Sequence, residues 1–128
     1  MNDRLHKPTD SELEILETLW VHGALTVRDI NLFMATKKDV GYTTTLKLLQ
    51  IMHEKGLVIR DESARSHVYE AAVTESDTRG QLLDSFVEST FGGSSANLVL
   101  HALGRRQPSR QELDQIRRLI DEMDGGQS

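Results

Sequence analysis

GYTTTLKLLQIMHEKGLV, Gly41 to Val58, decides how the rest of this chain is read. Leu46, Leu49 and the pair Ile51 and Met52 recur at helical spacing, so one face of a helix packs on a core. Tyr42, Thr43, Thr44, Thr45 and Lys47 crowd its first turns. Their hydroxyl and ammonium groups suit a surface of phosphates and base edges. Gly56 supplies the left-handed conformation that ends a helix. Leu57 to Glu62 then reads as a strand, Ser63 to Arg65 as a turn, and Ser66 to Ala72 as a return strand in which Val68 alternates against His67 and Tyr69. Helix, glycine stop and hairpin in this order imply a winged helix-turn-helix, and hence a DNA reader.

The residues upstream complete that unit. Thr9 and Glu12 form a capping box, in which each side chain satisfies a free backbone donor of the other residue. Leu13, Leu16 and Trp20, widened by Ile15 and Leu19, give the first helix its apolar stripe, and Gly23 ends it. Ala24 and Leu25 form a short extended link or a minimal strand. Thr26 with Asp29 marks a second N-terminus, and Val27, Ile30 and Phe33 or Met34 form the inner face of a short helix. Thr36 to Val40 is a polar loop. Two short helices joined by a tight polar connection fit a helix-turn-helix.

Downstream, the pattern is helical again from Thr74. Leu82, Leu83, Phe86 and Val87 stripe one helix to about Thr90. Gly92 to Ser95 is a break, Ala96 to Leu103 a short apolar helix, and Gly104 to Pro108 a basic turn. Ser109 and Glu112 form another capping box, after which Leu113, Ile116, Ile120 and Met123 recur at a/d spacing. These helices are too few to bury their own apolar faces, which points to a second copy of the chain. The expected organisation is a mainly α protein with a small β-wing. Residues 1–73 form the DNA-binding domain, 74–124 a helical dimerisation domain and 125–128 a disordered tail.

Composition narrows the function. The chain has 128 residues, no cysteine and a formal net charge of −5. Disulfides, thiolate metal sites and cysteine nucleophiles are excluded. No charged-then-apolar leader or long apolar run is evident, so a cytoplasmic protein without membrane insertion is expected. The acidic balance opposes bulk electrostatic binding to nucleic acid. Between Lys37 and Tyr69, however, six basic residues stand against four acidic ones, with His53 and His67 in reserve. A local basic face on an acidic protein is compatible with specific DNA binding. No glycine-rich phosphate loop or nucleophile with a base suggests an enzyme, and no cofactor is expected. The five histidines, His6, His22, His53, His67 and His101, lack close metal-ligand spacing and read as surface residues.

The chain resembles the BlaI/MecI family, the penicillinase and methicillin-resistance repressors. The resemblance rests on TDSELEILETLW (Thr9 to Trp20), TVRDI (Thr26 to Ile30), YTTTLKLLQIMHEKGLV (Tyr42 to Val58) and HVYEA (His67 to Ala71). It implies a homodimeric repressor that lays its third helix in the major groove of each half of an inverted-repeat operator, controlling resistance or stress genes. In the β-lactam branch a membrane sensor-protease pathway cuts the repressor at an Asn-Phe bond in a segment like VLNFL. The matching stretch here is Val99 to Leu103, with His101 and Ala102 at the junction. The copper branch uses a cysteine cluster that this chain lacks. An arginine often found midway along the recognition helix is Ile51 here.

On this reading Tyr42, Thr43, Thr44 and Lys47 meet DNA, with Tyr42 on the backbone. Arg28 and Lys38 flank the motif as backbone contacts, and Arg65 at the wing tip reaches a phosphate or the minor groove. Leu82, Phe86, Leu98, Leu113, Ile116, Ile120 and Met123 form the dimer interface. Trp20 is core and Tyr69 a structural strand residue. The alternative is a winged helix that contacts protein rather than DNA.

Overall fold

The helix starts expected at Thr9, Thr26 and Ser109 are built as side-chain caps, whereas the third helix starts at Gly41 without one. The computed structural model describes residues 7–63 and 65–126. The first helix, α1 (Asp10–His22), starts at Thr9, whose Oγ1 accepts from Glu12 N at 3.3 Å while Glu12 Oε1 accepts from Thr9 N at 2.9 Å. Thr26 caps α2 (Val27–Ala35) by accepting from Asp29 N at 3.2 Å. Helix α3 (Tyr42–Lys55) ends at Gly56, whose φ of 81° is the left-handed conformation glycine adopts without strain.

Three short strands follow the expected hairpin and add one partner. β1 (Leu25–Thr26), β2 (Val58–Asp61) and β3 (Val68–Ala71) form an antiparallel sheet in the order β1-β3-β2. The extended link after Gly23 is therefore a strand, paired Leu25 to Tyr69 and Thr26 to Val68. The return strand is shorter than expected, because Ser66 and His67 lie outside the ladder. Its orientation also differs. Tyr69, not Val68, is the fully buried residue, so the inner row across the sheet is Leu25, Tyr69 and Arg60. Of the turn from Ser63 to Arg65, Ala64 lies outside the described residues. Ser63 N donates to Asp61 Oδ1 at 2.9 Å, and hydrogen bonds from Ser63 hold the Asp61 carboxyl below its usual range.

The core of this N-terminal unit is where α1, α2, α3 and the sheet meet. Ile15, Leu16, Leu19, Val27, Ile30, Met34, Leu49, Met52, Leu57, Val58 and Tyr69 are buried together. Met34, rather than Phe33, completes the inner face of α2; Phe33 instead stacks on His22 with ring centroids 4.2 Å apart. Trp20 is half-buried at the core's edge and donates from Nε1 to the Val73 carbonyl at 2.9 Å, which pins the chain leaving the sheet. Glu12 is almost fully buried and ends on Lys55 Nζ at 2.8 Å, joining the start of α1 to the end of α3.

Three further helices complete the chain: α4 (Glu75–Phe91), α5 (Ser95–Arg105) and α6 (Arg110–Gly126). The compact units divide between Leu83 and Asp84, inside α4, whereas the expected boundary at 73/74 is where the sheet gives way to this helix. Gly104 belongs to α5 rather than to the turn after it. Gly125 and Gly126 belong to α6 rather than to a tail, at a cost of about 1 kcal/mol per helical glycine; residues 127–128 lie outside the described residues. Ser109 and Glu112 make the expected reciprocal cap on α6, at 2.9 and 3.1 Å. No helix among the described residues is long and apolar enough to cross a membrane.

Leu49 is fully buried where α3 meets the core. Leu49→Ala should cost about 2–5 kcal/mol, read as a lower urea midpoint of the unfolding transition reported by Trp20 fluorescence.

Candidate nucleic-acid interface

The two faces of α3 are divided more sharply than its sequence suggests. Thr45, Leu49 and Met52 are buried, while Tyr42, Thr43, Thr44 and Lys47 are exposed. Thr45 therefore does not join its neighbouring threonines on the outer surface. It lies at i and i+4 with Leu49, on the inner face. Ile51 leaves the core stripe and is 37% exposed.

A buried hydroxyl needs a partner, and Thr45 has one in Asn31 of α2. The hydrogen-bond network places the Asn31 amide nitrogen 2.6 Å from Thr45 Oγ1, 3.1 Å from the Gly41 carbonyl and 3.3 Å from the Val40 carbonyl. One side chain thus ties the second helix to both the turn and the first coil of the third. Asn31 lies four residues after Val27, on the inner side of α2, so a polar residue at an inward helical position was the signal available in the sequence.

Beside the exposed end of α3 lies a groove of about 580 Å³. Its walls are Thr26, Val27 and Arg28 from the start of α2, Tyr42, Leu46 and Gln50 from α3, and Arg60, Arg65, Ser66, His67 and Tyr69 from the hairpin. Among the described residues, three arginines line it and no carboxylate does. The structure thus brings Arg28, Tyr42 and Arg65 together around one cleft. Thr43, Thr44 and Lys47 lie on α3 outside its lining. Lys38 is elsewhere, held at 2.5 Å by Glu14 of α1.

Arg60 went unassigned among the expected site residues. Period-two alternation puts it on the same face as Val58, and a charge at an inward strand position was the available sign. It stands directly across from Tyr69, and its guanidinium also pairs with Glu62 Oε2 at 2.7 Å. The Tyr69 hydroxyl is buried and makes no aligned hydrogen bond among the described residues. Its oxygen nonetheless lies near enough to Arg60 to be the leading cause of that group's raised pKa, with Glu62 next.

In the C-terminal helices Leu82, Leu98, Leu113 and Ile116 are half-buried, while Phe86, Ile120 and Met123 are exposed, together with Leu83, Val99, Leu100 and Leu119. His101 and Ala102 sit inside α5 and are exposed. The His101 ring packs edge-on to Phe91 at 5.3 Å, and Phe91 packs edge-on to Phe86 at 5.7 Å. No group of three or more metal-ligating side chains occurs among the described residues.

Comparison with known proteins gives a consistent picture. The model of a family described as penicillinase repressor matches residues 8–122. The transcriptional regulator BlaI of Mycobacterium tuberculosis is 28% identical, over 96% of this chain and 89% of its own length. The methicillin resistance regulatory protein MecI of Staphylococcus aureus is 21% identical, over 94% of this chain and 98% of its own. The penicillinase repressor of Bacillus licheniformis is 23% identical, over 89% of each. Among solved structures, the DNA-binding domain of the repressor BlaI in solution matches with a TM-score of 0.51 at 22% identity, covering 57% of this chain and 89% of that one. This last likeness establishes the winged-helix fold.

Asn31→Ala should remove the amide that the Thr45 hydroxyl and the Val40 and Gly41 carbonyls share and cost about 1–3 kcal/mol. Chemical denaturation checks the loss. Amide exchange should speed up most at the start of α3, and uniform exchange across α2 and α3 would contradict the clamp.

Proposed function

The chain belongs to the penicillinase repressor family, and from that premise we propose that it is a sequence-specific transcriptional repressor that binds operator DNA as a homodimer. The observation that carries this reading is the juxtaposition of an exposed, hydroxyl- and lysine-bearing helix end with a groove lined by arginines and free of carboxylates. On a duplex, α3 lies in the major groove. Thr43, Thr44 and Lys47 read base edges: a threonine offers both hydroxyl and methyl, and a lysine suits guanine acceptors. Tyr42, Arg28 and Arg65, around the cleft, hold the backbone and set register without reading sequence. Lys38 contributes only if it leaves Glu14, so it ranks below the other flanking cations.

The dimer reading rests on apolar surface. Leu113, Ile116, Ile120 and Met123 line one face of α6, and Ile120 and Met123 are more than half exposed in the single chain. A second copy covers this stripe, with Leu82, Phe86 and Leu98 contributing from α4 and α5. Two-fold pairing of two winged helices matches an inverted-repeat operator. Control of a resistance or stress gene set through a membrane sensor-protease pathway is the induction route that fits the family. Cutting between His101 and Ala102 then requires α5 to unwind locally, because both residues lie within the helix.

Thr44→Ala combined with Lys47→Ala should weaken binding to the protein's own promoter region at least about 30-fold in a gel shift, each lost base contact being worth about 1–3 kcal/mol. Binding equal to the wild type would rule out α3 as the reading element. A winged helix that contacts protein instead would show no saturable, salt-sensitive DNA binding at all.

Ile116→Asp with Ile120→Asp should yield monomers in sedimentation and markedly weaker operator binding. A dimer that survives both charges places the interface elsewhere.

A further inference from the structure

The inner row of the sheet ends in a way that core packing alone does not explain. Leu25 and Tyr69 are apolar or aromatic, and the third position in the row is Arg60. Its side chain is only 24% exposed, so its stem is packed and its head is held in a fixed place. That place is the wall of the arginine-lined groove, next to the buried Tyr69 hydroxyl. The carboxylate on Arg60 comes from Glu62, two residues along the same strand end, whose side chain is 54% exposed. Ion pairs with so exposed a partner are weak. A phosphodiester offers the guanidinium the same planar pair of oxygens as a carboxylate.

Building on the DNA-binding reading, we infer that Arg60, seated against Tyr69, is a docking point for a phosphate of the DNA backbone, and that Glu62 occupies this seat in the free protein as an internal competitor. The duplex phosphate displaces the Glu62 carboxylate, whose Oε2 accepts from both Arg60 Nε at 2.8 Å and Nη2 at 2.7 Å. Tyr69 acts through Arg60 as a positioning residue, since its own hydroxyl is out of reach of solvent. Arg28 and Arg65 face the same cleft and add to its positive field. The contact carries no sequence information; it sets how deeply the hairpin closes on the backbone and how steeply binding depends on salt.

The test measures affinity for operator and for unrelated DNA over a potassium chloride series, with urea midpoints recorded for every variant. Arg60→Met keeps the aliphatic stem. It should weaken both DNAs by a similar factor, about tenfold, and flatten the slope of log K against log salt by about 0.9. Glu62→Gln removes the competitor at an exposed site and should tighten binding several-fold. Tyr69→Phe should keep the urea midpoint and weaken binding several-fold, whereas a purely structural tyrosine would move the midpoint and leave the salt slope alone. An unchanged slope in Arg60→Met, or unchanged or weaker binding in Glu62→Gln, overturns the inference. If Thr44→Ala with Lys47→Ala still weakens operator binding in that case, the DNA-binding reading stands without it. If the wild type itself shows no saturable DNA binding, it is that reading which fails. Inorganic phosphate at matched ionic strength separates the two sources of the anion. Competition seen with the wild type but not with Arg60→Met, alongside equal DNA salt slopes, would assign the seat to free phosphate and overturn the DNA-backbone assignment.

Discussion

The structure depends on one helix having two incompatible faces held in fixed rotation. Helix α3 buries Thr45, Leu49 and Met52 and exposes Thr43, Thr44 and Lys47, and a rotation of one residue would exchange them. Leu49 and Met52 alone would not fix that rotation finely, because apolar contacts are non-directional. The Asn31 amide does, since its two N–H groups are shared among Thr45 Oγ1 and the Gly41 and Val40 carbonyls. A buried polar contact of this kind converts a loosely specified helix packing into a single one. Everything proposed for the outer face depends on this small network.

The far end of the same helix is held by a different device. Lys55 Nζ reaches Glu12, itself locked by the cap on α1. The αL glycine at position 56 then turns the chain into β2, and Leu57 N closes the turn on the Met52 carbonyl at 2.9 Å. The hairpin's Arg60, Arg65, Ser66, His67 and Tyr69 thereby share one groove with Thr26, Val27 and Arg28 at the start of α2.

What the sequence made legible was mostly local. Caps at Thr9, Thr26 and Ser109 and the stop at Gly56 rest on interactions within four residues, and each was readable from spacing. The fold class followed from their order. Three things were not readable, for one shared reason. Thr45 looked like a third member of a polar cluster, Arg60 like one more basic residue, and Tyr69 like the less buried neighbour of Val68. In each case the deciding contact comes from an element distant in sequence: Asn31 for Thr45, Tyr69 for Arg60, and the β1 and β2 neighbours for Tyr69. Periodicity can mark a polar residue as inward, but only the partner tells whether it is satisfied there. The C-terminal helices show the converse. Their spacing marks an amphipathic α6, and Ile120 and Met123 on its apolar stripe are exposed in the single chain.

The pattern of ion pairs bears on how a protein with a formal charge of −5 would discriminate among DNA sequences. Lys38 pairs with Glu14, Lys55 with Glu12 and Arg60 with Glu62, so basic residues around the recognition helix are matched by carboxylates of the same chain. Among the described residues, Arg28, Lys47 and Arg65 have no ion-pair partner, and these are the cations nearest the exposed end of α3 and its groove. Non-specific affinity grows with the number of phosphates neutralised, whatever the sequence. Sequestering the peripheral cations lowers that number and leaves base contacts a larger share of the binding free energy. An acidic overall charge works in the same direction, by repelling the duplex until α3 is in register. The charge that first argued against nucleic acid is thus consistent with selectivity, provided that unpaired cations stand where the helix enters the groove. Arg28 and Arg65 meet that condition in the cleft, and Lys47 on the exposed face of α3.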